Sequence, residues 1–95
     1  MENMTLLVTY TCAPGRAAAY VQALKASGVQ EMIRAEDGCL CYDYCLSCEA
    51  PDTVVLLERW RDEAAQRSHL AQPHMEEVRR LKAAYVLDTR LERLT

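Results

Sequence analysis

The side chains best suited to chemistry lie in the second half of the sequence, beginning with a carboxylate and an indole two residues apart. Glu58 and Trp60 have the same parity, so on a β-strand both project to one face while Arg59 points to the other. If that face borders an apolar cavity, desolvation raises the pKa of Glu58 and suits it to proton handling or to orienting a histidine. The structural alternative is that Glu58 pairs with an arginine such as Arg67 or Arg79, while Trp60 fills the core.

The two histidines are separated by a proline. His69 and His74 are five residues apart with Pro73 between them, so the His-x-x-x-His spacing that places two zinc ligands on one helical face is absent. We therefore expect no metal site. His69, at the end of a predicted short helix, is suited to act as a general base for an acidic phenol, because imidazole titrates near neutrality. His74 has either a substrate-binding role or a structural role at a helix start.

Two tyrosines share one side of a predicted strand. The hydroxyls of Tyr42 and Tyr44 can bind a substrate oxygen inside an apolar cavity, or the rings can simply pack on the sheet with a solvated hydroxyl. We favour packing for Tyr44 and keep Tyr42 as a candidate substrate-binding residue.

The cysteines invite a redox or metal interpretation that strand geometry opposes. Cys45-Leu46-Ser47-Cys48 is formally Cys-x-x-Cys, but residues three apart on a strand point to opposite faces. We expect reduced thiols that act as small apolar fillers, with Cys39, Cys41 and Cys45 on one face.

Composition narrows the class of protein. A chain of 95 residues with 51% hydrophobic and 26% charged residues predicts a single soluble domain, residues 1–95. The net charge of -3 and the dispersed basic residues disfavour nucleic acid and membranes as partners. Three glycines cannot build a phosphate loop or a dinucleotide fingerprint, so no cofactor is indicated. The acidic start, Met1-Glu2-Asn3-Met4, predicts no signal peptide and no membrane span, hence a cytoplasmic protein.

Four segments alternate with the period of a strand. They are Met4 to Cys12, Cys39 to Cys48, Thr53 to Trp60 and Val86 to Leu94. The turn Glu36-Asp37-Gly38 precedes the second of them.

Two segments between the strands have a helical period. The first begins at Arg16 and continues to Ile33; we attribute Gly28 in its middle to close packing against the sheet. The second is broken: Asp62 caps a helix from Glu63 to about Leu70, and Pro73 at an N1 position starts another. The order β-α-β-β-α-β predicts an α+β, ferredoxin-like fold. Because the helices cover only one face while strands two and three are apolar on both, we expect two chains to pack their sheets into a dimeric barrel.

Two motifs resemble those of a known family. A strand ending Glu58-x-Trp60 is followed by acidic residues and then by His69-Leu-x-x-Pro73-His74-Met75, and Glu36-Asp37-Gly38-Cys39 is followed by Tyr42. This pattern resembles the antibiotic-biosynthesis monooxygenase (ABM) family, especially its quinol monooxygenase branch. The resemblance implies oxygenation of an electron-rich phenol by molecular oxygen in a homodimer, without metal, flavin or haem. The resemblance implies that His69 is the base, that Trp60 and Tyr42 form the aromatic wall of the substrate site, and that Glu58 orients or tunes the base.

Other activities of similar proteins remain as alternatives. Haem degradation is disfavoured, because that branch has an asparagine in strand one, a tryptophan at the place of His69 and an axial histidine later, where this chain has Val8-Thr9-Tyr10, His69 and Arg79. An isomerase of phosphorylated signalling sugars of the autoinducer-2 pathway would need a basic phosphate pocket, which Arg67, Arg79 and Arg80 could supply. A non-catalytic small-molecule-binding dimer is the third possibility, because fold does not fix function.

Overall fold

The computed structural model describes residues 3–95; Met1 and Glu2, which contribute to the prediction of no signal peptide, lie outside that range. The elements are β1 (Met4–Cys12), α1 (Ala17–Ser27), α2 (Val29–Arg34), β2 (Cys39–Leu46), β3 (Thr53–Trp60), α3 (Glu63–Leu70), α4 (Met75–Tyr85) and β4 (Val86–Arg93). The order keeps the predicted β-α-β-β-α-β arrangement, with each helical segment divided in two.

The strands form one antiparallel sheet in the order β2-β3-β1-β4. Every second residue of β1 and β3 is buried on the face that the helices cover, as the alternation predicts. The α+β, ferredoxin-like fold is therefore confirmed. No helix within residues 3–95 is long and apolar enough to cross a membrane.

The opposite face of the sheet is uncovered in a single chain. Leu7 lies directly across from Leu57, and Val55 follows one strand repeat further along; all three are only half-buried. Charged residues on the two edge strands border them: Asp43, Asp88, Arg90 and Glu92. This face has an apolar centre and a charged margin.

Gly28 divides the first helical segment, and our explanation of it was wrong. Its φ of 78° lies in the left-handed region, where it ends α1 and begins α2. A Cβ at Gly28 would meet no heavy atom within 4 Å, so close packing does not account for the glycine. The change of direction turns Met32, expected on the buried face, out to solvent while Val29 and Ile33 are buried.

The second helical segment begins as predicted and resumes later than predicted. Asp62 caps α3, its Oδ1 accepting from the Ala65 N–H at 2.8 Å. Pro73 is not at an N1 position, because α4 begins at Met75 with His74 as the N-cap residue. His69 and His74 therefore lie at the two ends of the short connection between α3 and α4.

A bulge in β2 corrects the predicted face of one cysteine. Cys39 pairs with Trp60 and Cys41 with Arg59, so the register shifts by one residue between them. Cys39 therefore packs against the core under the helices, whereas Cys41 and Cys45 face the open side.

The turn before β2 is packed tightly beneath α3. Gly38 has a φ of 87°, and a Cβ there would lie 2.6 Å from the Cβ of Ala65. Only glycine fits this approach without displacing backbone or helix. The close contact holds the turn, and Glu36 within it, next to the end of α3.

Candidate functional site

An aromatic cluster occupies the interior where the end of β3 meets α3. The Trp60 side chain is fully buried and that of His69 is 2% exposed, with their ring centroids 4.6 Å apart at an interplanar angle of 32°. The Tyr42 ring lies 5.6 Å from the His69 ring and 6.4 Å from the Trp60 ring. Three of the sequence-predicted site residues therefore adjoin one another.

Glu58 lies beside this cluster, on the strand position directly across from Tyr42. Its Oε1 accepts a hydrogen bond from Trp60 Nε1 at 3.0 Å. Burial raises the pKa of the Glu58 carboxyl, while the Trp60 hydrogen bond and the nearby His69 partly oppose the rise. The arginine partners considered from the sequence lie elsewhere: Arg67 pairs with Glu63, and Arg79 with Glu76. Glu58 holds the indole.

The carboxylate that orients His69 is Glu36, which sequence reasoning missed. Its Oε2 lies 3.1 Å from His69 Nδ1 and 2.6 Å from His74 Nε2. An ionised carboxylate only accepts hydrogen bonds, so both ring nitrogens act as donors. His69 then keeps its Nε2 lone pair, which makes it a base at that atom. The role of orienting His69, which we had assigned to Glu58, belongs to Glu36.

The available signal for Glu36 was the acidic turn before Gly38, which we interpreted only as a turn. His69 and His74 are 33 and 38 residues away from Glu36, so no periodicity links them. The tight packing of Gly38 on α3 brings the turn to the histidines.

The remaining two predicted residues differ in position. His74 joins the cluster through Glu36, and its side chain is 14% exposed. Arg67 does not join it: its side chain is 67% exposed, and it forms an ion pair with Glu63 one helical turn earlier.

Two further tyrosines present polar atoms to the interior. The hydroxyls of Tyr20 and Tyr44 are buried and have no hydrogen-bond partner among residues 3–95. The prediction of a solvated hydroxyl for Tyr44 was therefore wrong. Burial raises the pKa of Tyr44 to about 12 and also raises the pKa of Tyr42, so both hydroxyls stay protonated at neutral pH. A protonated hydroxyl can donate to a ligand oxygen.

A surface depression of about 330 Å³ adjoins the carboxylate of the cluster. It is lined by Glu36, Asp37, Arg61, Asp62, Ser68 and Gln72, among others. Within residues 3–95, no group of three or more His, Cys, Asp and Glu side chains is arranged to hold a metal ion.

The family model described as antibiotic biosynthesis monooxygenase matches residues 3–81. This chain belongs to the antibiotic biosynthesis monooxygenase family. The resemblance noted in the Glu58-x-Trp60 and His69-to-Met75 motifs is thereby confirmed.

Three solved structures superimpose on nearly the whole chain. A Pseudomonas aeruginosa protein is 32% identical with a TM-score of 0.85, over 99% of this chain and 93% of its own. A Bacteroides thetaiotaomicron protein, described as a candidate antibiotic biosynthesis monooxygenase, is 31% identical with a TM-score of 0.82, over 99% of this chain and 89% of its own. A Mycobacterium tuberculosis protein is 25% identical with a TM-score of 0.83, over 99% and 94%. No curated protein sequence matches this chain.

The buried carboxylate of this family member makes a prediction for stability. Because the folded state raises the pKa of Glu58 above its ordinary value of 4.5, the folded form favours the protonated acid. The free energy of unfolding therefore falls as the pH rises from 4.5 through the raised pKa. Glu58→Gln removes the charge and keeps an oxygen for Trp60 Nε1. We expect this variant to be more stable at neutral pH by about 1 kcal/mol, the low end of the cost of burying a polar group.

Thermal unfolding between about pH 4 and pH 8 measures this effect. The difference in Tm between Glu58→Gln and the wild type is expected to grow as pH rises. Glu49→Gln is the matched control, because Glu49 is exposed. A difference that stays constant across the range would contradict the assignment of a desolvated carboxylate.

Proposed function

We propose that this family member is a cofactor-independent monooxygenase that oxidises a quinol or another small electron-rich phenol with molecular oxygen. The observation that carries the proposal is the buried His69 imidazole, flanked by Trp60 and Tyr42 and hydrogen-bonded through Nδ1 to Glu36. A base with a fixed tautomer beside aromatic walls suits the removal of a phenolic proton. Family membership supports oxygenation as the reaction class.

The proposed reaction converts hydroquinone and O₂ to hydroxyquinone and water. His69 Nε2 takes a phenolic proton, and the phenolate transfers one electron to O₂, giving a semiquinone radical and superoxide. These radicals combine to form a carbon–oxygen bond, and His69 returns its proton to the distal peroxide oxygen. The O–O bond then breaks, the ring C–H proton is lost, and water leaves. The protein supplies proton transfer, orientation and exclusion of water.

The buried tyrosine hydroxyls support the proposal that the substrate carries a second oxygen atom. Tyr20 and Tyr44 each offer a protonated, unpaired O–H in a buried setting. An unpaired buried donor is unfavourable, and a ligand oxygen that accepts from it removes that penalty. In the proposed complex a diphenol presents one hydroxyl to His69 and its second oxygen to Tyr44, whose ring adjoins that of Tyr42.

The alternative isomerase is not favoured. Its phosphate pocket would draw on Arg67, Arg79 and Arg80, yet each is exposed and paired with a glutamate on its own helix. A non-catalytic binding dimer would bind phenols without consuming oxygen, so a measurement of oxygen uptake distinguishes it.

Oxygen uptake tests the proposed function. Chelator-treated protein is incubated with a panel of hydroquinones, oxygen consumption is followed, and the product is analysed after reaction under isotopically labelled O₂. We expect uptake with one labelled oxygen atom in the hydroxyquinone. Absence of uptake across the panel, or activity that disappears on chelation, would contradict cofactor-independent oxygenation.

We also propose that the protein is a homodimer in which two open sheet faces pack together. Leu7, Val55 and Leu57 form a half-exposed apolar centre on that face, and the edge strands place charged residues of both signs, among them Asp43 and Arg90, at its margin. Covering such a face removes apolar surface from water.

Leu57→Asp is expected to break this dimer, because it places a charge at the apolar centre. Light scattering after size exclusion is expected to give twice the 10.8 kDa chain mass for the wild type and the single mass for the variant. Met32→Asp on the exposed side of α2 is the control and should remain dimeric. A monomeric wild type at micromolar concentration would overturn the proposal.

A further inference from the structure

We propose that His74 exchanges charge with His69 through Glu36: when His69 takes the substrate proton, His74 releases a proton to solvent. This inference rests on the proposed function, because it concerns the fate of the proton that the base removes. It gives His74, interpreted from the sequence as structural or substrate-binding, a distinct role. His74 does not touch the substrate in this scheme and is a positioning residue for charge.

The geometry places both imidazoles on a single carboxylate oxygen. Glu36 Oε2 lies 3.1 Å from His69 Nδ1 and 2.6 Å from His74 Nε2. The contact of Glu36 with His74 is the shorter of the two. In the proposed exchange the resting positive charge lies on His74, the ring with the shorter contact to Glu36 and the greater exposure.

Exposure increases along the three side chains in the direction of proton release. His69 is 2% exposed, Glu36 10% and His74 14%. His69 is thus nearly excluded from bulk water, whereas His74 reaches the surface. The Nδ1 atom of His74 is not used by Glu36, so it can lose a proton while the Nε2 hydrogen bond persists.

The charges around His69 favour one positive charge in the cluster rather than two. Glu36 from the α2–β2 turn faces His69 directly, Glu58 of β3 interacts with it electrostatically, and Tyr42 of β2 stays protonated. His74 at the start of α4 is the competing cation. Two imidazolium rings hydrogen-bonded to the same oxygen would repel each other strongly in an interior of low dielectric. Protonation of one histidine therefore disfavours protonation of the other.

The exchange balances. The substrate O–H bond breaks and its proton goes to His69 Nε2, while the His74 Nδ1–H bond breaks and that proton goes to water or buffer. The sum of charges on His69, Glu36 and His74 is unchanged. When His69 returns its proton to the peroxide, His74 takes one from solvent, and the resting state is restored.

Proton release on binding tests the exchange without turnover. The probe is 4-nitrophenol, added to chelator-treated protein without oxygen at a pH where the free probe is the neutral phenol. The phenolate formed on binding is seen by its visible absorbance. Calorimetry in two buffers of different ionisation enthalpy gives the number of protons released. We expect about one proton per bound phenolate from the wild type and none from His74→Asn, in which His69 retains the proton. Equal release by the two proteins would overturn the exchange.

Nitrogen NMR locates the charge directly, since the chain contains only two histidines. In the wild type we expect the doubly protonated ring to be His74 in the free protein and His69 in the phenolate complex. A His74 ring whose protonation does not change on phenolate binding would overturn the proposal, because it is the result expected of a merely structural histidine. This measurement needs no variant, so it stands even if His74→Asn fails to fold.

Binding of 4-nitrophenol distinguishes a failure of the proposed substrate class from a failure of the proton exchange. If 4-nitrophenol does not bind, the phenolic substrate class is contradicted, and the exchange is then decided on the free protein. There the pair is expected to lose its protons in two separate steps during an NMR pH titration. Two independent, overlapping steps would overturn the coupling.

Discussion

His69→Asn is expected to lower kcat for hydroquinone-dependent oxygen uptake by about 10²–10⁴-fold, the usual contribution of a positioned general base. Asparagine can still donate toward Glu36 but has no basic atom with which to remove a phenolic proton. The loss should fall mainly on kcat, because the walls formed by Trp60 and Tyr42 remain. Steady-state oxygen consumption at several hydroquinone concentrations separates kcat from KM.

Tyr42→Phe provides the matched control within the same cluster. It removes one hydroxyl and keeps the ring that lies 5.6 Å from His69, so we expect a much smaller change in kcat. If His69→Asn retained kcat within a few-fold of the wild type, His69 would not be the base. The Glu36 cluster would then be structural.

Gly38→Ala is expected to destabilise the protein by roughly 3 kcal/mol, which for a domain of this size lowers Tm by about ten degrees or more. Two independent causes combine at this position. The φ of 87° disfavours any side chain, and the new Cβ would lie 2.6 Å from the Ala65 Cβ on α3. Thermal and denaturant unfolding followed by circular dichroism measures the change.

Gly28→Ala separates the two causes. Gly28 has a similar φ of 78°, but a Cβ there meets nothing within 4 Å, so only backbone strain of about 1 kcal/mol is expected. Combining Gly38→Ala with Ala65→Gly should recover part of the loss by removing the contact. Equal destabilisation by Gly28→Ala and Gly38→Ala would show that the approach to α3 is unimportant.

The sheet was the most predictable part of the fold. In β1, the buried residues Val8, Tyr10 and Cys12 alternate with the less buried Thr9 and Thr11, and both β1 and β3 match their predicted bounds. The helical period of the apolar residues could not locate the break at Gly28. This glycine is required by its positive φ and not by a packing contact. The bulge in β2 was equally hidden, because an extra residue leaves the composition of a strand unchanged.

The site was predictable where its residues are neighbours in sequence. Strand parity places Glu58 and Trp60 on one face, and their side chains are hydrogen-bonded. The partner of His69 was not predictable by such rules, because Glu36 belongs to another element and reaches the histidine through tertiary packing. Local spacing in the sequence cannot decide whether Glu36 or Glu58 is the hydrogen-bond partner of His69.

Trp60 is the only tryptophan in the chain, and it lies against the imidazole of the proposed base. Indole emission from this protein therefore arises at a single, known place. Protonation of His69 should quench it, and a phenol entering beside the ring should change it again. The protein thus contains its own fluorophore for following occupancy and proton transfer in real time, without any label.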